Sequence, residues 1–216
     1  MKLRIEPVRL LFNKLRNSWL LALASLSAVV ISCTPFTTTL TATVTSTSNP
    51  YDLSYLIDQD PAGVDNSVLP ITPLELMHGI GTPPEVNISD YAFTVDGLVD
   101  NPLRLSYSDL RSYPPETRVV LLICPLTFAD NPSWTGVPFA AILARAGARP
   151  EATEIVLKSL DGFEIPLPID IVPDVLLAYG VDGETLPPVH GYPVRAVITG
   201  SIGLYWLRWL EGIEIR

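Results

Sequence analysis

The chain has 216 residues, 48% of them apolar, which is enough for one core-bearing domain and too little for a large multidomain machine. Its net charge is −9, but the first 33 residues hold five cations (Lys2, Arg4, Arg9, Lys14, Arg16) and one acid, Glu6, so the rest of the chain sums to −13. So acidic a body cannot lay down the basic stripe that neutralises a phosphate backbone, which argues against nucleic acid as a partner, and 21 prolines argue against a bundle of long helices.

In chain order, a basic stretch ending at Arg16 leads into an apolar run over 19–31. The run is shorter than the roughly 20 residues that span a bilayer as a helix, and it reads as the core of a signal peptide. It ends in Val30-Ile31-Ser32-Cys33, an order that resembles the bacterial lipobox. That resemblance implies lipidation of Cys33, attachment to a membrane through the lipid, and an extracytoplasmic domain. The competing reading is an uncleaved short anchor with an incidental cysteine; either places the domain outside the cytoplasm. Residues 34–50 are mostly Thr and Ser without an apolar period, as expected of a solvated tether. Residues 51–216 show no further composition shift and are expected to form one domain.

Within it, stretches rich in Val, Ile and Leu predict strands over 92–99, 118–123, 153–159, 163–167, 175–179 and 194–199, with Asp161-Gly162 and Asp182-Gly183 as the clearest turns. Helices are expected over 107–111 and 137–146. In the second, Phe139, Ile142, Leu143 and Ala146 fall on one face, and Gly147 can cap its end. The expected class is α+β, strand-dominated, with a mixed sheet and a few short helices.

Most familiar sites are excluded by inspection. The chain has no phosphate loop with its Lys, no G-x-S-x-G elbow and no H-E-x-x-H pair. Its two histidines, His78 and His190, cannot build a multi-histidine zinc centre. With Cys33 assigned to lipid, Cys124 is the one thiol left for the folded domain. It follows the apolar run Val119-Val120-Leu121-Leu122-Ile123 and opens an irregular segment rich in Pro, Asp and Asn. Taken alone, such a cysteine has two readings, a small buried hydrophobe or a reactive group at a strand end.

Its neighbours extend the pattern. Cys124-Pro-Leu-Thr-Phe-Ala-Asp-Asn-Pro-Ser-Trp-Thr-Gly-Val-Pro138, Leu160-Asp161-Gly162, Asp182-Gly183-Glu184-Thr185-Leu186-Pro187, His190-Gly191-Tyr192-Pro193-Val194-Arg195 and the stretch 203–209 follow in order, after Phe93-Thr-Val-Asp-Gly-Leu-Val-Asp-Asn-Pro102. This ordered set, covering roughly 85–216, resembles the molybdopterin-binding domain of the sulfite oxidase family. The resemblance implies that domain's fold, a molybdopterin cofactor, and Cys124 as the protein's ligand to molybdenum, where a soft thiolate suits a sulfur-rich shell. It implies that Arg195 and its polar partner His190 hold the cofactor, with Arg208 near the phosphate. Asp161 has two readings, a bond to the pterin or the acid of a tight turn. His190 likewise reads as cofactor partner or core histidine. Trp134, Trp206 and Trp209 are expected in packing, and His78 is assigned no role.

The resemblance implies an oxidoreductase performing two-electron oxygen-atom transfer on a small oxo-donor or acceptor. The absence of an arginine cluster near the loops points to a sulfoxide or N-oxide rather than sulfite. With no C-x-x-C-H haem motif in the chain, electrons are expected from a separate cytochrome or quinone-linked partner. Two departures from the family pattern, Leu126 where glycine is frequent and Tyr205 where a basic residue is frequent, motivate the alternative of a non-catalytic binding or scaffold lipoprotein that kept the fold and lost the metal. A branched Leu126 is expected to narrow the approach to the metal.

Overall fold

The computed structural model describes residues 49–216. Cys33, the expected signal peptide and the tether as far as residue 48 lie outside the described residues. Two five-stranded sheets and a two-stranded hairpin carry the described residues. In the first sheet, β1 (Ala92–Gly97), β2 (Leu103–Ser106), β7 (Glu154–Ser159), β8 (Glu164–Pro168) and β12 (Leu210–Ile215) run in the order β2-β1-β12-β7-β8. Only the β1/β12 pair is parallel. In β1 the alternation of apolar residues sends Phe93 and Val95 into the core, as a period of two requires.

The second sheet orders β10 (Glu184–Thr185), β9 (Val175–Val181), β6 (Ser133–Pro138) and β3 (Glu116–Val119). A further strand, β11 (Arg195–Ile198), pairs with the first half of β9. Beyond β11 the chain crosses to the first sheet. The Ala196 N–H donates to the Leu207 carbonyl at 2.8 Å and the Leu210 N–H to the Val194 carbonyl at 2.7 Å. The segment 199–209 therefore bridges the two sheets, and the candidate site lies beside it.

Helix α1 (Tyr107–Arg111) matches its predicted bounds, fixed by a reciprocal capping box between Ser106 and Asp109. Helix α2 (Phe139–Ala146) buries the four residues expected on its apolar face and ends at a left-handed Gly147. It starts two residues later than expected because Val137 and Pro138 finish β6.

The strand expected over 118–123 is two strands. β3 ends at Val119, and β4 (Leu122–Cys124) pairs instead with β5 (Phe128–Asp130). The run is apolar on both faces because it serves two clusters. Val120 and Leu122 pack into the main core, whereas Leu121 and Ile123 join Leu53, Leu56 and Ala129 in a second one. The segment after Cys124, expected to be irregular, holds β5 and β6.

Candidate functional site

Cys124 closes β4 at the start of a four-residue turn, where the Thr127 N–H donates to the Cys124 carbonyl at 3.1 Å and the Thr127 hydroxyl to the same oxygen at 2.9 Å. Pro125 and Leu126 are its central residues. Leu126 adopts φ 66°, the left-handed conformation that favours glycine at the third position of a turn. Its side chain is 83% exposed and is not among the residues lining the cleft, so the expectation that it narrows the approach to Cys124 is not met.

The half-buried Cys124 lines a cleft of about 240 Å³ together with Asp161, His190, Arg195 and Arg208. All five residues singled out in the globular part thus share one cavity. Arg195 begins β11 with its guanidinium against the faces of Trp134 and Trp206, 4.8 and 5.7 Å from their ring centroids. It is 5% exposed. Its Nη1 donates to the His190 carbonyl at 2.9 Å, and its buried Nε has no hydrogen-bond partner. Burial, then the nearby Arg208 cation, lowers its pKa to about 9. His190 is buried as well, and burial followed by Arg195 disfavours its charged form.

Arg208 stacks on Trp209 at 4.4 Å and donates to the carbonyls of Ile80 and Val189. Gly191, at φ 116°, permits this crowding of cations. A Cβ there would lie 2.9 Å from Arg195 Cβ and 3.2 Å from Arg208 Cβ. Asp161 shapes its turn, with Ser159 Oγ 2.6 Å from Asp161 Oδ1 and 2.7 Å from the Arg208 carbonyl, and it also lines the cleft. The three tryptophans are packed as expected, each N–H donating to a backbone carbonyl. Trp206 and Trp209 in addition form cleft wall.

Sequence reasoning missed His78, which lines the same cleft. Its Nδ1 lies 2.8 Å from Oδ1 of Asp130, and its backbone N–H donates to Oδ2 at 2.9 Å. Nothing in its sequence spacing to Cys124 signals this, because the fold alone brings the 78–80 segment against β5. The relevant trace in the sequence is Asp130 itself, an acid buried inside a short strand.

Two cations and a thiol on one cleft suit an anionic ligand. Among the described residues no group of three or more His, Cys, Asp or Glu is placed to hold a metal ion. The chain belongs to the family of the oxidoreductase molybdopterin binding domain, whose sequence model matches residues 80–216. It is 31% identical over 147 residues to the uncharacterized oxidoreductase YuiH of Bacillus subtilis (strain 168), covering 66% of this chain and 74% of YuiH. It is 28% identical over 178 residues to nitrate reductase [NADH] 1 of Arabidopsis thaliana, covering 66% of this chain but 19% of that protein. The crystal structure of the sulfane dehydrogenase SoxCD from Paracoccus pantotrophus matches with a TM-score of 0.64 and 27% identity, over 72% of this chain and 45% of that one. The strand-dominated α+β fold and the sulfite oxidase-type family are as expected. The chain is thereby a molybdopterin-dependent oxidoreductase by class.

Proposed function

We propose that this domain reduces a small neutral S-oxide or N-oxide by oxygen-atom transfer, with Cys124 as the protein ligand to molybdenum. The observation that carries the cofactor assignment is that Arg195, Arg208 and His190 line one cleft with Cys124. A guanidinium packed against two indoles offers its donors to an anionic group at little entropic cost. Arg208, half-buried and facing the same cavity, adds a second positive charge. When bound, the cofactor supplies two-electron redox chemistry at one metal. The chain's own contribution is a soft thiolate at a fixed turn and two cations.

A neutral substrate is favoured by the mouth of the cleft, where Ile80, Phe163 and Leu204 are exposed apolar side chains. Arg195 and Arg208 each bond the protein through Nη1, and in this reading their remaining donors serve the cofactor rather than a substrate oxyanion. In this reading the chain is exported and held at a membrane through lipid on Cys33, and a separate cytochrome or quinone-linked partner delivers electrons. Mass spectrometry of the mature N-terminus should find a lipidated Cys33; an intact Met1 would refute the anchor.

The test of the main reading is Cys124→Ser in protein expressed with cofactor synthesis. The hydroxyl nearly keeps the thiol's volume but stays protonated, so folding and pterin content should persist. Turnover of dimethyl sulfoxide or trimethylamine N-oxide with an artificial reductant should collapse, and the metal's electronic spectrum should change. Identical spectra and turnover in parent and variant would refute the ligand role.

A further inference from the structure

His78 precedes the stretch matched by the family model, and nothing in the function proposed above uses it. Its surroundings are specialised. Asp130 is 1% exposed, and both of its oxygens are engaged by His78, one through the ring and one through the backbone. The ring stacks on Phe128, centroids 4.7 Å apart and 13° from parallel. It nonetheless stays 57% exposed. Phe128 and Asp130 belong to β5, whose partner strand β4 carries Cys124, in the register Cys124↔Phe128 and Leu122↔Asp130. The hairpin that positions the thiol therefore also positions the imidazole.

A carboxylate holding Nδ1 fixes which nitrogen is free. The neutral ring keeps its proton on Nδ1, toward Asp130, and offers Nε2 as an acceptor; once protonated, Nε2 becomes a donor. The ring is also wall to a second cavity, again of about 240 Å³, lined by Asn49, Tyr51, Asp52 and Thr127 and sharing His78 and Phe128 with the cleft. The His78 side chain is thus wall to both a polar cavity and the apolar-mouthed cleft. The charged and titratable groups that share its two cavities are Tyr51 and Asp52 on one, and Cys124, Asp161, His190, Arg195 and Arg208 on the other, besides Asp130, which it bonds.

We propose that His78, oriented by Asp130, relays protons between the polar cavity and the substrate oxygen in the cleft. The proposal rests on the oxygen-atom-transfer reading. Reducing an S-oxide breaks its S–O bond, consumes two electrons from the external donor and two protons, and releases a thioether and water. Nε2 of His78 hands a proton to the departing oxygen and is reprotonated from solvent in the polar cavity. Asp130 is a positioning residue that orients the ring.

The experiment compares the molybdenum-loaded parent with His78→Gln, His78→Gly and Asp130→Asn, using dimethyl sulfoxide and a viologen reductant. His78→Gln should keep molybdenum and pterin per chain and KM within about threefold, while kcat falls about a hundredfold, the lower range of what a positioned acid contributes. Exogenous imidazole should restore part of the turnover of His78→Gly. Nitrogen-15 NMR of the ring should show Nδ1 protonated in the neutral parent, and Asp130→Asn should abolish that preference. Unchanged kcat, loss of pterin alongside turnover, or no imidazole rescue would overturn the relay. A loaded parent that turns over no oxo compound would refute the reduction reading instead. In that case NMR still decides the dyad, since a neutral ring protonated at Nε2 is incompatible with it.

Discussion

Arg195 places a charge where only two indole faces and one carbonyl receive it. An unbonded buried donor costs about 1–3 kcal/mol, which stacking on the tryptophans offsets in part. Without its ligand the protein is thus less stable at this point than an apolar side chain would make it. Arg195→Met is expected to leave cofactor-free protein as stable as the parent or more so, because replacing a buried charge by a hydrophobe is often neutral or stabilising. Pterin retention should meanwhile fall more than tenfold, in keeping with the roughly 2–5 kcal/mol of truncating a buried charge contact. Thermal unfolding of both apoproteins and pterin assay of both loaded proteins check this. A destabilised apoprotein with full pterin content would reverse the assignment and make Arg195 a packing residue. Legibility at this scale was uneven. Arg195 and His190 were readable because their spacing is local, whereas His78 and Asp130 lie 52 positions apart and meet only through the packing of the 49–80 segment.

Among the elements, strands with a clear period or a capped end were readable: β1, β7, β8, β9, β11 and both helices lie where apolar stretches or capping residues put them. What was not readable depends on tertiary partners. β5 and β10 are two or three residues long, and β12 carries Glu214 between apolar residues, so only its place between β1 and β7 makes it a central strand. Glu214 there accepts from Arg216 at 2.8 Å and lies 2.7 Å from Lys158 Nζ on β7. Bonds from Arg216 and then Lys158 lower its pKa from 4.5 to about 2. A depressed carboxyl contributes stability that is complete above its unfolded value and lost as pH falls through the folded one. Glu214→Gln should therefore be less stable than the parent near neutrality, by at most about 1 kcal/mol given solvent screening. The two proteins should converge as pH drops from 4.5 toward 2. Denaturant titrations at several pH values read this directly, and a difference that stays constant with pH would remove the ion pairs as its cause.

On the scale of the whole molecule, the cleft is assembled from places far apart in the chain: the 78–80 segment, the Cys124 turn, the turn between β7 and β8, the loop before β11, and the bridge 203–209. The first sheet supplies one wall and the second another. Beyond the backbone bonds of Ala196 to Leu207 and of Leu210 to Val194, side chains join these walls at a few points. Arg208 reaches the Ile80 and Val189 carbonyls, and the Trp209 indole donates to Pro188 at 2.7 Å. A ligand that touches all of them adds links the chain lacks, and anything binding only the folded state stabilises it, by about 4 kcal/mol at a thousand times its dissociation constant. Loaded protein should accordingly unfold at a higher temperature than apoprotein. Amide exchange should slow most in 188–195 and 203–209, which the cofactor would join to Cys124, with less change beyond the global shift in β1 and β7, whose ladders are complete without it. Hydrogen exchange by mass spectrometry on both forms gives the map. Equal exchange in those two segments would mean that the cofactor binds without bridging the sheets, and the cleft would then be a preformed cavity rather than one that its ligand completes.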